Sequence, residues 1–222
     1  MLIDLTHTIV PDMPMAPGSE PLALAATGSL TRTGSRDTLL TLPSHTGTHM
    51  DAPAHLLREG SSLDVLPVSQ FCGRAVVLDV TDLTGAAITA DWLRAQNGLL
   101  HTADFVLFYT GWETRWGSGA YFAPGFSVPD EEGARYLVSC GLKGVGTDAW
   151  SVDAPDRPDR PVHRALLGGG LVILESLCLR KVAPRQAFQL IALPLKFENA
   201  DGAPVRAVAD FRDTTGKEMD QP

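Results

Sequence analysis

Within the eleven residues from 45 to 55 the chain places His45, His49, Asp51 and His55, so three of its six histidines stand beside a carboxylate. Imidazole nitrogen with carboxylate oxygen is a donor set for Zn or Mn, and in some sites Fe, whereas Mg and Ca draw mostly on oxygen. All four residues occupy odd positions, as do Gly47 and Pro53. Gly47, β-branched Thr46 and Thr48, and Pro53 oppose a helix here, and Pro53 pushes Ala52 toward extended geometry. An extended chain sends alternate side chains to one face, which predicts a ribbon of converging donors with Gly47 leaving room for a close ligand. A lone histidine is usually an ordinary hydrogen-bonded residue, but four donors of one parity are hard to explain by packing.

Glu175 has an argument of its own. It ends an apolar run, where an unpaired carboxylate is costly to bury, so a cation partner explains it better than packing does. An ion pair with Arg164 or Arg180 is the alternative. His7 and His101 have no carboxylate at a ligand spacing and read as structural, and His163, alone after a proline-rich stretch, carries little signal by itself.

The run His45-Thr46-Gly47-Thr48-His49-Met50-Asp51-Ala52-Pro53-Ala54-His55 resembles the H-x-G-T-H-x-D-x-P-x-H signature of the cyclase family that includes bacterial kynurenine formamidases and isatin hydrolases. The likeness extends through Ile3-Asp4-Leu5-Thr6, Thr110-Gly111-Trp112, Gly146-Thr147-Asp148, Ser151, Asp153, His163, Glu175 and the run from Leu190 to Lys196. It implies that His45, His49 and Asp51 are metal ligands, with Asp51 able to bridge to a second ion. His163 and Glu175 would complete the site, and His55 would be the proton-transfer residue. One or two divalent ions, Zn or Mn, are the implied cofactor, and a homo-oligomer, dimer or tetramer, is the implied assembly.

Such a site predicts a metal-dependent hydrolase of an amide, formamide or lactam C–N bond in a small molecule. A bound divalent ion lowers the pKa of water from 15.7 to about 7 and polarises the carbonyl under attack. The departing nitrogen then needs a proton, which His55 is suited to carry because an imidazole titrates near 6.5. A metal-assisted lyase or cyclase, and a non-catalytic metal- or ligand-binding member, are the competing readings. Kynurenine formamidases carry an aromatic residue in the segment that here reads Pro14-Met15-Ala16-Pro17-Gly18. Ala16 supplies no ring, which leaves a different substrate, or an apolar wall built from Trp112, Trp116, Tyr121 or Phe122.

The elements that must position these groups follow from the rest of the chain. The first seventy residues are rich in Gly, Pro, Ser and Thr between β-prone runs at 21–26 and 38–42, which predicts hairpins. The run 75–80, a helix over 89–97 closed by Gly98, and a strand over 105–109 predict a βαβ unit. Ser127, Pro129 and Asp130 look like the start of a second helix that ends at Gly141, followed by a strand from 142 to 147. The segment 151–161, with three prolines, predicts a loop over the site. Gly168-Gly169-Gly170 reads as the turn into a buried strand at 171–174, since it has neither the Lys-Ser/Thr of a phosphate loop nor a following helix. Further strands are expected at 188–193 and 205–208. The fold class expected is α/β: a single domain, 1–211, with a mixed, partly parallel sheet flanked by helices, a β-rich N-terminal portion, and a polar tail at 212–222.

Composition bounds the rest. The chain has 222 residues, 44% hydrophobic and 20% charged, which suits an ordinary globular domain that needs no staples. A net charge of −8 disfavours a nucleic-acid partner, whose phosphates call for clustered Lys and Arg. The uncharged stretch 165–174 is about half the length that crosses a bilayer, so no membrane span is expected. Cys72, Cys140 and Cys178 are odd in number with no C-x-x-C spacing, and read as buried thiols. The N-terminus lacks a secretory pattern, which predicts a cytoplasmic protein.

Overall fold

The structure, a computed structural model, describes residues 1–185 and 187–212. In chain order the elements are β1 (Leu2–Asp4), β2 (Ala23–Gly28), β3 (Asp37–Thr41), β4 (His49–Asp51), β5 (Cys72–Asp79), α1 (Ala90–Ala95), α2 (Asn97–Leu100), β6 (Phe105–Tyr109), α3 (Glu131–Ser139), β7 (Gly144–Thr147), α4 (Pro161–Gly168), β8 (Val172–Glu175), β9 (Ala187–Pro194) and β10 (Gly202–Asp210). Eight strands form one sheet in the order β1-β10-β4-β8-β7-β6-β5-β9, and a further β10–β9 pairing curls it into a barrel. β5 to β8 run parallel and the remaining pairs antiparallel, so the sheet is mixed as expected. Barrel closure was not foreseen, because it depends on β9 pairing on both of its edges.

The central strands read as unbroken apolar runs because both of their faces are covered. Ala75, Val77, Phe105, Leu107, Val172 and Leu174 point into the barrel interior with Met50, Leu190 and Ala207. Their neighbours Val76, Leu78, Val106, Phe108 and Ile173 point outward under the helices, against Leu93, Leu137, Leu166 and Leu167. Strand alternation therefore fixes which side of the sheet each later residue occupies. β2 and β3 form a separate hairpin, as the sequence predicted, with every residue of β3 exposed.

Several expectations need correction. The eleven-residue ribbon is extended only over β4: the chain bends between 44 and 48, and residues Pro53–His55 form a 3-10 turn with Pro53 at its start. Gly47 is required by its φ of +62 in that bend, not by clearance for a ligand. The helix capped by Thr89 stops at Ala95, and the chain re-enters a short helix straight through Gly98, since Leu100 is drawn into the outer core. The stretch from 165 opens with the last turns of α4, not with a strand approach; only Gly169 and Gly170 make the turn into β8. The three cysteines are free but half-buried. Of the expected tail only Arg212, which pairs with Asp210, is described; 213–222 lie outside the described residues.

Candidate metal centre and active site

On β4, Met50 enters the barrel interior, so His49 and Asp51 project from the outer face. β8 continues the pattern: Leu174 is interior, and Glu175 lies outward, directly opposite His49 in the antiparallel register. α4 crosses this face, and its buried residues include His163, Leu166 and Leu167 at helical spacing. Two adjacent strands and one helix thus bring His49, Asp51, His163 and Glu175 together, all nearly inaccessible. His45 reaches the cluster from the bend before β4 and His55 from the turn after it, with their rings 4.0 Å apart.

The distances suit a cation. His49 Nε2 is 3.3 Å from Asp51 Oδ1 and 3.4 Å from Glu175 Oε2; His163 Nε2 is 3.4 Å from Asp51 Oδ2 and 3.2 Å from Glu175 Oε1. These exceed good hydrogen bonds, and they approximate the edge of a tetrahedron whose centre lies about 2.0–2.1 Å from each donor, the usual Zn–N and Zn–O length. The far nitrogens are already engaged. His49 Nδ1 donates to the Gly47 carbonyl at 2.8 Å, and His163 Nδ1 donates to Asp153 Oδ2 at 2.7 Å. Both rings therefore turn Nε2 toward the carboxylates, and a bound metal would take the place of the proton there.

Among the described residues, donor atoms fall into three groups of close neighbours: His45, His49 and Asp51; Asp51, His163 and Glu175; and His45, His55 and Asp201. Asp51 belongs to two of them. Burial opposes charge throughout the cluster, yet the imidazoles and carboxylates hold one another charged. His49 is pushed up to about 10 by Asp51 and Glu175, His163 rises well above its ordinary value beside Asp153 and Asp51, and Asp51 is held well below the usual carboxylate range. The same buried negative field is what a divalent cation would neutralise. Among the described residues no lysine or arginine pairs with these carboxylates: Arg180 lies against Glu113, and Arg164 against the Asp159 carbonyl.

His55 differs from the other three. Burial, helped by the charges of His45, His163 and Arg160 against the pull of Asp51, lowers its pKa. Arg160 Nη1 donates to His55 Nε2 at 2.9 Å, so Nε2 is the acceptor and Nδ1 carries the proton, facing Asp201 Oδ2 at 3.7 Å. Asp201 also accepts from His45 Nε2 at 2.9 Å. Sequence reasoning missed Asp201: it precedes Gly202 in a turn, where aspartate is common for local reasons.

A cavity of about 410 Å³ opens onto this cluster. The proline-rich stretch 151–160 forms one side, as predicted, and Pro14, Met15 and Ala16 another. The aromatic loop divides its labour. Trp112 and Tyr121 are buried anchors, with Trp112 Nε1 donating to the Tyr121 carbonyl and Tyr121 Oη to Ser176 Oγ. Trp116 and Phe122 line the cavity, joined by Trp150, which the sequence did not single out. His7, expected to be structural, stacks on the back of Trp116 at 3.9 Å.

The family model described as Putative cyclase matches residues 3–154. The kynurenine formamidase of Salinibacter ruber (strain DSM 13855 / M31) is 38% identical over 215 residues, spanning 93% of this chain and 96% of its own. That of Geobacillus thermodenitrificans (strain NG80-2) is 34% identical over 206 residues, spanning 92% and 95%. Isatin hydrolase A from Ralstonia solanacearum superposes with a TM-score of 0.83 at 26% identity, covering 94% of this chain and 91% of its own.

Proposed function

Because the chain belongs to the cyclase family of metal-dependent hydrolases, we propose that it cleaves the C–N bond of a formamide, amide or lactam in a small molecule, with His55 moving the proton. The observation that carries this reading is the pairing of two kinds of histidine in one cavity. His49 and His163 turn Nε2 toward Asp51 and Glu175, while His55 stands outside that shell with its Nε2 accepting only from Arg160.

His45, His49, Asp51, His163 and Glu175 are the proposed ligands of Zn or Mn, and Asp51, shared by two donor groups, would serve a second ion. The ion supplies a positive charge that polarises the scissile carbonyl and makes water more acidic. The chain does the rest. His55 takes a proton from the attacking water and delivers it to the nitrogen, which leaves with the electrons of the broken C–N bond. Asp201 lies on the Nδ1 side of the ring, where its charge would stabilise the protonated imidazole, and Trp116, Phe122 and Trp150 exclude bulk water and pack against the substrate. Their presence in the same cavity as Ala16 supports an aromatic substrate even without a ring at position 16.

The three free thiols suit a reducing, cytoplasmic compartment, and no helix among the described residues is long and apolar enough to cross a membrane. Leu39 and Leu40, exposed on opposite faces of the isolated hairpin, support a homo-oligomer that covers the hairpin.

Two variants test the assignment. His49→Ala is expected to lose bound metal and activity together, whereas His55→Ala keeps the metal and loses about 10²–10⁴-fold in kcat, the usual worth of a general acid–base group. Metal content by elemental analysis, beside turnover of formanilides and isatin in ¹⁸O-labelled water, reads both. Metal loss in His55→Ala would move that residue among the ligands. Product free of the label would mean that no hydrolysis occurs.

A further inference from the structure

Two cationic side chains, Arg157 and Arg160, line the cavity. Arg157 is committed elsewhere, bonding both oxygens of Asp159 and one of Glu131. Arg160 is not. Among the described residues its guanidinium has no carboxylate partner, and its one side-chain hydrogen bond runs to His55 Nε2 at 2.9 Å. Its backbone adopts φ 48 and ψ 58 at the start of α4, a left-handed conformation that residues other than Gly, Asn and Asp rarely take. An arginine held in this conformation, with its charge unpaired at the mouth of a cavity, is poorly explained by folding alone.

A guanidinium offers only donors, in a fork that matches a carboxylate. The same cavity is lined by Trp116, Phe122 and Trp150, and Trp150 adds an indole N–H that is buried without a partner among the described residues. We infer that Arg160 forms an anion subsite, which receives a carboxylate carried beside the scissile nitrogen of an aryl amide and releases His55 for proton transfer as it does so.

Geometry selects the position of that carboxylate. The departing nitrogen must come within about 2.6–3.2 Å of His55 Nε2, the atom that Arg160 now holds at 2.9 Å. A carboxylate on Arg160 is therefore close to that nitrogen, as on the ortho carbon of an anilide and not on the para carbon. The inference rests on the hydrolase reading for the chemistry at nitrogen, and on geometry alone for the anion.

The test separates these two. Fluorescence titration of the metal-loaded protein with 2-aminobenzoate, 4-aminobenzoate and aniline is run on the parent and on Arg160→Gln, Arg160→Lys and Arg160→Gly. The parent is expected to bind 2-aminobenzoate at least about tenfold more tightly than either comparison compound, the scale of hydrogen bonds to a charged group. Arg160→Gln abolishes that preference, Arg160→Lys keeps part of it, and Arg160→Gly abolishes it while melting at or above the parent temperature, since glycine accepts the backbone conformation. In turnover, the ratio of kcat/KM for 2-formamidobenzoate over formanilide falls about tenfold in Arg160→Gln, on the same scale. Retention of the preference in either Arg160→Gln or Arg160→Gly, or an unchanged ratio, overturns the subsite. A parent that binds 2-aminobenzoate in this manner yet hydrolyses neither formamide would overturn the hydrolase reading and leave the subsite standing.

Discussion

Asp153 performs two tasks at once. Its carboxylate accepts the backbone N–H groups of Val162 and His163, at 2.8 and 3.0 Å, where α4 begins, and also the His163 ring at 2.7 Å. The helix start and the imidazole orientation are thus set by one group. Asp153→Asn is expected to weaken metal binding by about 10–100-fold, the usual effect of removing a partner behind a ligand, measured by competition with a chromophoric chelator; parent-like affinity would refute the role. His7 makes a different prediction. Burial beside Trp116 lowers its pKa to about 4 from an ordinary 6.5, and its Nε2 has no partner among the described residues. Between those values the unfolded chain binds the extra proton, so His7 contributes instability that grows as pH falls from 6.5 to 4. In metal-free protein, His7→Phe should therefore show a smaller drop in melting temperature than the parent between pH 7 and 4.5; parallel curves would exclude it. At this scale the clustering of residues 45, 49, 51 and 55 was legible because they are close in sequence. Asp201, Trp150 and Arg160 were not, because each belongs to the site only through long-range packing.

Among the elements, β4 is the hub. Its three residues pair with β8 on one edge and β10 on the other, and those neighbours supply Glu175 and the approach to Asp201. β10 must also come close to the bend that carries His45: a Cβ at Gly202 would lie 2.4 Å from His45 Cε1. Gly202→Ala should therefore displace the ring, and a misplacement of about 1 Å at a reacting centre costs on the order of 10²-fold in rate. Steady-state kinetics with metal analysis would check this, and parent-like turnover would show that β10 yields instead. The strands of the βαβ unit, and α3 with its Asp130 cap, were readable from periodicity and end signals. α4 was hidden for a physical reason. Its cap comes from Asp153 across a loop and its N-cap position is occupied by an arginine, so Pro161 at its first position is a start signal without the usual capping residue before it.

For the whole molecule, the site places two carboxylates and three imidazoles where two faces of the fold meet. Asp51 and Glu175 are 1% and 5% exposed, and removing a cation from between them leaves only protons to offset their repulsion. An ion at a thousandfold excess over Kd adds about 4 kcal/mol of stability, roughly 8–16 °C for a chain of this size. Calorimetry before and after chelation should show a loss of that order, restored by Zn or Mn; an unchanged melting temperature would argue against a bound ion. The α/β class and mixed sheet could be inferred from apolar runs alternating with helices. Closure into a barrel could not, because β9 and β10 find each other through shape and register, for which the sequence of either strand carries no separate sign.

The position of β4 also dictates an order of events during synthesis. Both of its hydrogen-bonding neighbours, β8 and β10, lie in the last third of the chain. A nascent polypeptide that has emerged only as far as His55 carries the recognisable motif but no frame to hold it, because His163, Glu175 and the strands that brace β4 are still untranslated. Capture of an ion by the proposed ligands accordingly belongs to the nearly finished protein. A ribosome-stalled fragment ending before β8 would hold the signature and lack the metal centre, so the earliest-made part of the site is the last to become one.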